Sequence, residues 1–386
     1  MIVKSKQEIQ KWIGEKIKDP AYRPFAVIAK SSDECNYNCS YCYVEHNSQT
    51  AFMPIEIAKI AVEKTARYIN NQRRINFIWH GGEPLLAGSN FFIEIAKFSR
   101  QFTDCKIEHC IQTNGSLLTD ELLQYCSENN IAVSLSFDGP ENIHDSNRKD
   151  KDGIGTHNRT MEALEKIKKV GLTAGCVCVL HKQNVDRIEE LYEFFKTNKI
   201  NFRINPVVRS GRAVSNYNNL AVTAEEYGNA MAKLFDLWFY DDGEIQVEPL
   251  HTIVGNFVSP FIWGCDYHGN CLKSIISINP DGSVYPCGRF AGLEKFRLGN
   301  IAEDSLESMF NTPLFVELSD RNTDTVKACS KCTFKEICNT GCMITAHMAK
   351  GNIYDQDYYC KGRKILFAHI ADKLMQQLDA AEIQPQ

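Results

Sequence analysis

Cys35-Asn36-Tyr37-Asn38-Cys39-Ser40-Tyr41-Cys42 places three thiols on one short loop, directly after the apolar run Phe25–Ala29. Thiolates are the usual ligands of iron–sulfur clusters, and three of them leave the fourth iron of a 4Fe–4S cubane open. An open iron position points to catalysis. Two plainer readings fit the same loop: a zinc tetrahedron completed by His46, or three ordinary packed cysteines.

The rest of the chain narrows these choices. Its 386 residues predict one large catalytic domain with a smaller appendage. An apolar fraction of 44% and a charged fraction of 24% are those of an ordinary soluble protein, and no apolar run reaches bilayer length. Residues 1–23 contain no secretory signal and read as a short N-terminal amphipathic helix, so the cytoplasm is the expected compartment and no membrane partner is expected. A net charge of -5 with no basic stripe argues against nucleic acid. Sixteen cysteines in a chain with no export signal are poor candidates for disulfides, which makes metal ligation the leading explanation.

Between residues 24 and 222, short strand-like runs alternate with helical stretches, an α/β pattern of strand–helix units around a parallel sheet. The predicted strands are Phe25–Ala29, Ile75–Trp79, Ile107–Ile111, Ala132–Phe137, Leu172–Val179 and Phe202–Asn205. In the fourth, Val133, Leu135 and Phe137 alternate with Ser134 and Ser136; in the sixth, Phe202 and Ile204 alternate with Arg203 and Asn205. One face can therefore pack while the other binds. A helix is predicted from Asp186, with that residue as cap and Ile188, Leu191, Tyr192 and Phe195 as its apolar stripe. Six units suggest a partial (β/α)6 barrel with ligands at the C-terminal strand ends. Residues 223–264 read as a helical linker, and 265–386 as a cysteine-rich domain with a C-terminal helix whose tail frays after Gln377.

With further motifs in order, the thiol loop resembles the signature of the radical S-adenosylmethionine (SAM) superfamily, which implies a TIM-like radical SAM barrel. His80-Gly81-Gly82-Glu83-Pro84, after the second strand, resembles the family's GGEP turn, where backbone and carboxylate hold the SAM amino group. Thr113-Asn114-Gly115 and Ser136-Phe137-Asp138-Gly139 fall where related enzymes hold the ribose and shape the pocket, which assigns Asn114 and Ser136. The segment His144 to Asp150 resembles the one whose arginine meets the SAM carboxylate, a role that falls on Arg148, and Tyr41 matches the aromatic near the adenine. A guanidinium fork suits a carboxylate. The resemblance implies SAM as cofactor, a radical abstracting hydrogen from the substrate, and a flavodoxin- or ferredoxin-type electron donor.

Eight further cysteines, Cys265, Cys271, Cys287, Cys329, Cys332, Cys338, Cys342 and Cys360, resemble the SPASM extension of peptide-modifying radical SAM enzymes. That resemblance implies two auxiliary 4Fe–4S clusters, one held by Cys265, Cys271, Cys287 and Cys342, the other by Cys329, Cys332, Cys338 and Cys360, for three clusters in all. Two structural zinc sites, and with them a non-enzymatic zinc-binding module, fit the spacing as well. Ser274–Ile278 and Ser283–Tyr285, joined by Asn279-Pro280-Asp281-Gly282, predict a hairpin that presents Cys287. Cys105, Cys110, Cys126, Cys176 and Cys178 read as buried core residues.

SPASM-bearing enzymes mostly act on peptides, so a ribosomally made precursor peptide is the expected substrate. The stretches around His80, Asn114, Ser136 and Tyr285-Pro286-Cys287-Gly288-Arg289-Phe290 look closest to maturases that join an aromatic ring to a β-carbon, forming a cyclophane. Anaerobic sulfatase maturation, which oxidises Cys or Ser to formylglycine, is the alternative, as is a thioether crosslink. The sulfatase-maturating enzymes place an Asp base after a cluster cysteine, and here that position is Gly288. Residues before 24 leave no room for a separate peptide-recognition domain, so leader binding is expected on the catalytic body or on another protein.

Overall fold

The computed structural model describes residues 24–45, 50–69, 74–241, 244–259, 262–269 and 271–383. The N-terminal helix expected over 1–23, and His46, lie outside the described residues. Six strands run parallel and in sequence order: β1 (Phe25–Ser32), β2 (Arg74–Gly81), β3 (Lys106–Thr113), β4 (Ala132–Ser136), β5 (Gly175–Leu180) and β6 (Asn201–Pro206). The helices between them include α1 (Ile55–Ile69), α2 (Ser89–Ser99), α3 (Asp120–Glu128), α4 (Glu141–Asn147), α5 (His157–Lys169) and α6 (Ile188–Thr197).

Period-two alternation sorts the strand residues. Phe25, Val27, Ile75, Phe77, Trp79, Ile111, Leu135, Cys176, Cys178, Phe202 and Ile204 are buried on the helix-covered face. The intervening residues, among them Lys30, His80, Gln112, Ser136, Arg203 and Asn205, therefore turn to the inner face and give the lumen a polar lining. Register puts Lys30 beside His80 on neighbouring strands. Two of the expected core thiols are only half buried: Cys110 lies on the inner face of β3, and Cys105 precedes that strand.

Local chemistry moves several boundaries. β5 starts at Gly175, three residues after the expected Leu172, because the Leu172 N–H closes the end of α5 on the Ile167 carbonyl at 3.2 Å. Asp186 does not cap α6. The chain turns instead through Asn184, whose side chain accepts the His181 N–H at 2.8 Å, and the helix opens after Arg187 with no side-chain cap. Its stripe of Ile188, Leu191, Tyr192 and Phe195 is buried as expected.

Residues 223–264 are not purely helical. After α7 (Ala224–Phe239) the short strand β7 (Val247–Glu248) pairs in parallel with β6, opposite Phe202 and Arg203, before α8 (Leu250–Val258). The cysteine-rich segment also joins the sheet. The hairpin β8 (Ile275–Ile278) and β9 (Ser283–Tyr285) turns through residues 279–282, and β8 lies parallel to β1 with Ile276 against Val27. With β10 (Gly299–Asn300) the order becomes β10-β9-β8-β1-β2-β3-β4-β5-β6-β7. One sheet thus runs through both cysteine-bearing regions.

The C-terminal part is held by α9 (Met343–Lys350) and α10 (Cys360–Ile383). The helix is continuous past Gln377, where fraying was expected. α10 packs along α7 with backbones in contact: a Cβ on Gly362 would lie 1.9 Å from the Ala224 carbonyl oxygen. Only glycine permits that approach, and it fixes Cys360 and Arg363 within one turn of the contact. Among the described residues, no helix is long and apolar enough to cross a membrane.

Candidate cluster and cofactor site

The thiol loop leaves β1 and is tied to the segment carrying Arg148. The Asn38 N–H donates to the Lys149 carbonyl at 2.7 Å, and the Ser40 N–H to the Asn147 carbonyl at 3.0 Å. Arg212 donates to the Cys39 carbonyl at 3.0 Å, and the Tyr37 N–H lies 3.4 Å from Cys35 Sγ. Burial pushes the Cys35 thiol up to about 12 and raises that of Cys39. Burial thus favours the neutral thiol, and a metal bound there would displace its proton into solvent.

The turn after β2 presses against this loop. A Cβ on Gly82 would meet the Glu34 carbonyl oxygen at 2.0 Å, so a side chain there would push the two loops apart. Glu83, expected to meet an ammonium, is 1% exposed and already engaged. It accepts from Thr113 Oγ1 at 2.6 Å, the Asn114 N–H at 2.8 Å and the Leu85 N–H at 3.1 Å. It therefore joins the ends of β2 and β3, and one acceptor site remains at Oε2. Pro84 accepts Ser31 Oγ through its carbonyl at 3.1 Å, which fastens the turn to β1.

His80 is partly buried, its Nε2 3.0 Å from Tyr43 Oη and its Nδ1 buried without a partner. Burial, reinforced by Lys30 and Arg148, pushes it down to about 4, so the ring is neutral at pH 7. Arg148 is 8% exposed and donates from Nη1 to Tyr41 Oη at 3.0 Å, while its Nε is buried without a partner. Tyr41 in turn donates to Asp138, and its ring stacks on His181 with centroids 5.9 Å apart. Asp138 is anchored by the Val179 N–H at 2.9 Å. Asn114 donates to Asn36 Oδ1 at 2.8 Å, and Ser136 accepts from Gln112 at 3.1 Å.

The residues expected at a SAM site thus come together at the C-terminal ends of β1 to β4. Two buried nitrogens, one on Arg148 and one on His80, still lack partners there, and a ligand with acceptor oxygens would satisfy a donor at each. The donor set fits SAM on a cluster at Cys35, Cys39 and Cys42. Sequence reasoning did not single out Thr113, Asp138 or His181 as site residues; Thr113 and Asp138 stood inside the quoted motifs, whereas nothing local marks His181.

Cys329, Cys332, Cys338 and Cys360 line one cavity together with Phe334, Phe367, Asp357 and Arg363. Cys265 and Cys271 line another beside Trp263 and His268. Burial pushes the Cys287 and Cys338 thiols up to about 12. Among the described residues, no three His, Cys, Asp or Glu side chains close on one point as ligands of a single ion. Cysteines spread around a cavity suit a cluster that takes one thiolate per iron.

Comparison with known proteins agrees. Residues 30–195 match the Radical SAM superfamily, and residues 265–333 match SPASM, an iron–sulfur cluster-binding domain. The cysteine-type anaerobic sulfatase-maturating enzyme of Clostridium perfringens strain 13 is 28% identical over 364 residues, covering 91% of this chain and 98% of that protein. The serine-type enzyme of Bacteroides thetaiotaomicron is 27% identical, with 92% of each chain covered. Among solved structures, native anSMEcpe with bound AdoMet superposes with a TM-score of 0.81 at 26% identity, covering 93% of this chain and 100% of that one. The chain belongs to the radical SAM superfamily and is a radical SAM enzyme with a SPASM iron–sulfur domain.

Proposed function

We propose that this enzyme oxidises the β-carbon of a residue in a peptide or protein substrate, using three 4Fe–4S clusters. One lies at Cys35, Cys39 and Cys42, and the auxiliary two lie at the cysteine groups described above. When bound, SAM and the first cluster supply a 5′-deoxyadenosyl radical that removes a hydrogen atom from the substrate. The chain's own residues do the positioning. Arg148 offers its free Nε to the SAM carboxylate, Glu83 and Asn114 fix the strand ends, and the neutral His80 brings an unpartnered Nδ1 to the end of β2.

The observation that carries this reading is the closeness of the first auxiliary group to the barrel lumen. Gly288, next to Cys287, packs on Ile28 of β1 and faces Tyr43, the neighbour of Cys42. A substrate side chain in that space lies between the radical source and an auxiliary cluster. Holding reactants in such a space both orients them and excludes water.

Oxidation of Cys or Ser to formylglycine is the outcome that the full-length likeness to sulfatase-maturating enzymes supports. Their likeness carries more weight here than the short motifs that suggested a cyclophane. A solved anSMEcpe complex holds a Cp18Cys peptide. Gly288 favours the crosslink as a second reading, because the expected Asp base is absent. A Cβ there would sit 3.3 Å from two Ile28 carbons and 3.8 Å from Tyr43 Oη. Any base at that place in this chain is therefore a different group, and the Tyr43–His80 pair is nearest.

Anaerobically reconstituted enzyme, reductant or a flavodoxin- or ferredoxin-type donor, and SAM are incubated with a sulfatase-type Cys or Ser peptide and read by mass spectrometry and aldehyde capture. Formylglycine supports the first reading. Loss of two hydrogens without an aldehyde, from the peptide encoded beside the gene, supports the second. If no peptide raises 5′-deoxyadenosine above background, the peptide reading fails.

A further inference from the structure

We infer that Arg289 sets the reduction potential of the auxiliary cluster at Cys265, Cys271, Cys287 and Cys342, acting through a ladder of alternating charges that ends at the second cysteine group. Arg289 Nη1 lies 3.5 Å from Cys342 Sγ and 3.6 Å from Asp266 Oδ1. The other oxygen of Asp266 lies 3.5 Å from Arg363 Nη2. Arg363 Nη2 is in turn 3.4 Å from Asp357 Oδ2, which accepts the Cys342 N–H at 2.9 Å. Arg363 and Asp357 line the cavity bounded by Cys329, Cys332, Cys338 and Cys360. The ladder thus starts on a sulfur of one group and ends in the wall of the other.

Structural ion pairs alone do not require this placement. A cluster held by four thiolates is anionic and gains a further negative charge on reduction, so a guanidinium donating to one of its sulfurs favours the reduced form. At most 23% of any of the four side chains is exposed, so solvent screens the effect weakly. Asp266 works in the opposite sense.

The two arginines differ in what they have left to give. Arg289 shares its charge with one carboxylate, Asp266, whereas Arg363 is paired with both Asp266 and Asp357. Arg289 is therefore the less neutralised of the two arginines, and it is the one that donates to a sulfur of the first group; the second group's cavity has Lys335 and Lys364 in its wall as well. Were the substrate radical to lose one electron, with its proton released to bulk solvent, the first group's cluster would be the group placed to take that electron. That last step rests on the reading in the preceding subsection; the potential itself does not.

The test needs neither substrate nor SAM. In a background carrying Cys35→Ala, Cys39→Ala and Cys42→Ala, only the auxiliary clusters remain, and their potentials are read by EPR-monitored redox titration. Arg289→Gln should lower one of the two potentials more than the other, Arg289→Lys should leave that potential close to the parent, and Asp266→Asn should raise the same one. A merely structural ladder would give no shift, or shifts of one sign as the cage loosens. Iron-replete Arg289→Gln with both potentials unmoved overturns the inference, as does Asp266→Asn moving the potential down. If Arg289→Gln fails to load, Asp266→Asn and Arg289→Lys decide by the same criteria. A wrong substrate assignment would leave every one of these readings unchanged.

Discussion

Glu83 at the end of the second strand accepts the backbone N–H of Asn114 at the end of the third, 2.8 Å away, inside a site where Glu83 is 1% exposed. Together with Thr113 Oγ1 and the Leu85 N–H, this makes the carboxylate a clamp on the sheet's ligand-binding end. Glu83→Gln replaces one acceptor oxygen by a donor facing donors. The expected cost is about 1–3 kcal/mol of stability, with weaker SAM binding, measured by chemical denaturation and by calorimetry. Unchanged values in both would show that the clamp is dispensable.

Two buried histidines make the fold acid-sensitive. Trp79 Nε1 donates to His109 Nδ1 at 3.2 Å, and the Asp138 N–H donates to His144 Nδ1 at 3.3 Å, so each ring must be neutral. Burial pushes His109 down to about 4, and His144 lies well below its ordinary value. A base with a depressed folded pKa contributes stability that is complete above its unfolded value and lost as pH falls. The window for His109 is from about 6.5 to about 4. Stability should decline there by about 1.4 kcal/mol per pH unit for each such histidine. His109→Gln should flatten the profile of denaturation midpoints; an equally steep profile would count against this assignment.

Arg148→Lys removes the guanidinium fork while keeping the charge. Lysine cannot both donate to Tyr41 Oη and reach a carboxylate as arginine does. SAM affinity should fall roughly tenfold to a hundredfold, the equivalent of about 1.5–3 kcal/mol, in equilibrium binding. Wild-type affinity would place the SAM carboxylate elsewhere.

The cysteines should divide by position rather than by type. Cys39→Ala should abolish reductive SAM cleavage. Cys126, fully buried in α3, lies outside the site, so Cys126→Ala should cost about 1 kcal/mol in packing and leave 5′-deoxyadenosine formation intact. Equal losses in the two variants would contradict the division.

Gly288→Asp tests why the expected base is missing. The new Cβ would meet Ile28 Cδ1 and Cγ2 at 3.3 Å, so overpacking should cost about 1–3 kcal/mol. Combining it with Ile28→Ala should recover part of that loss, visible as a coupling between the two changes in denaturation midpoints. Strictly additive effects would mean that Ile28 does not fill the space.

The lumen and its mouth were largely legible in the chain. Alternation in Ala132–Phe137 and Phe202–Asn205 gave each strand one face to pack and one to bind, whereas the close approach of Gly82 to the Glu34 backbone is seen only in the fold. The cap of α6 was misread because Asn184, three residues after His181, takes the turn that Asp186 was expected to make. β7 was missed because a two-residue strand has no period to detect. The charge ladder was invisible because Asp266, Arg289 and the pair Asp357 and Arg363 come from three separate segments.

By itself the sequence determined the thiol loop, the order of strand–helix units and the motifs at the strand ends, because each is written in local spacing and period. Tertiary structure alone decided that β8 extends the barrel sheet and that Gly288 abuts Ile28, since both depend on pairing between segments about 250 residues apart. It also decided that Glu83 serves three backbone and side-chain donors of its own chain. A carboxylate's partners are set by which donors reach it in a dry interior, and that is a property of packing, not of neighbours in sequence.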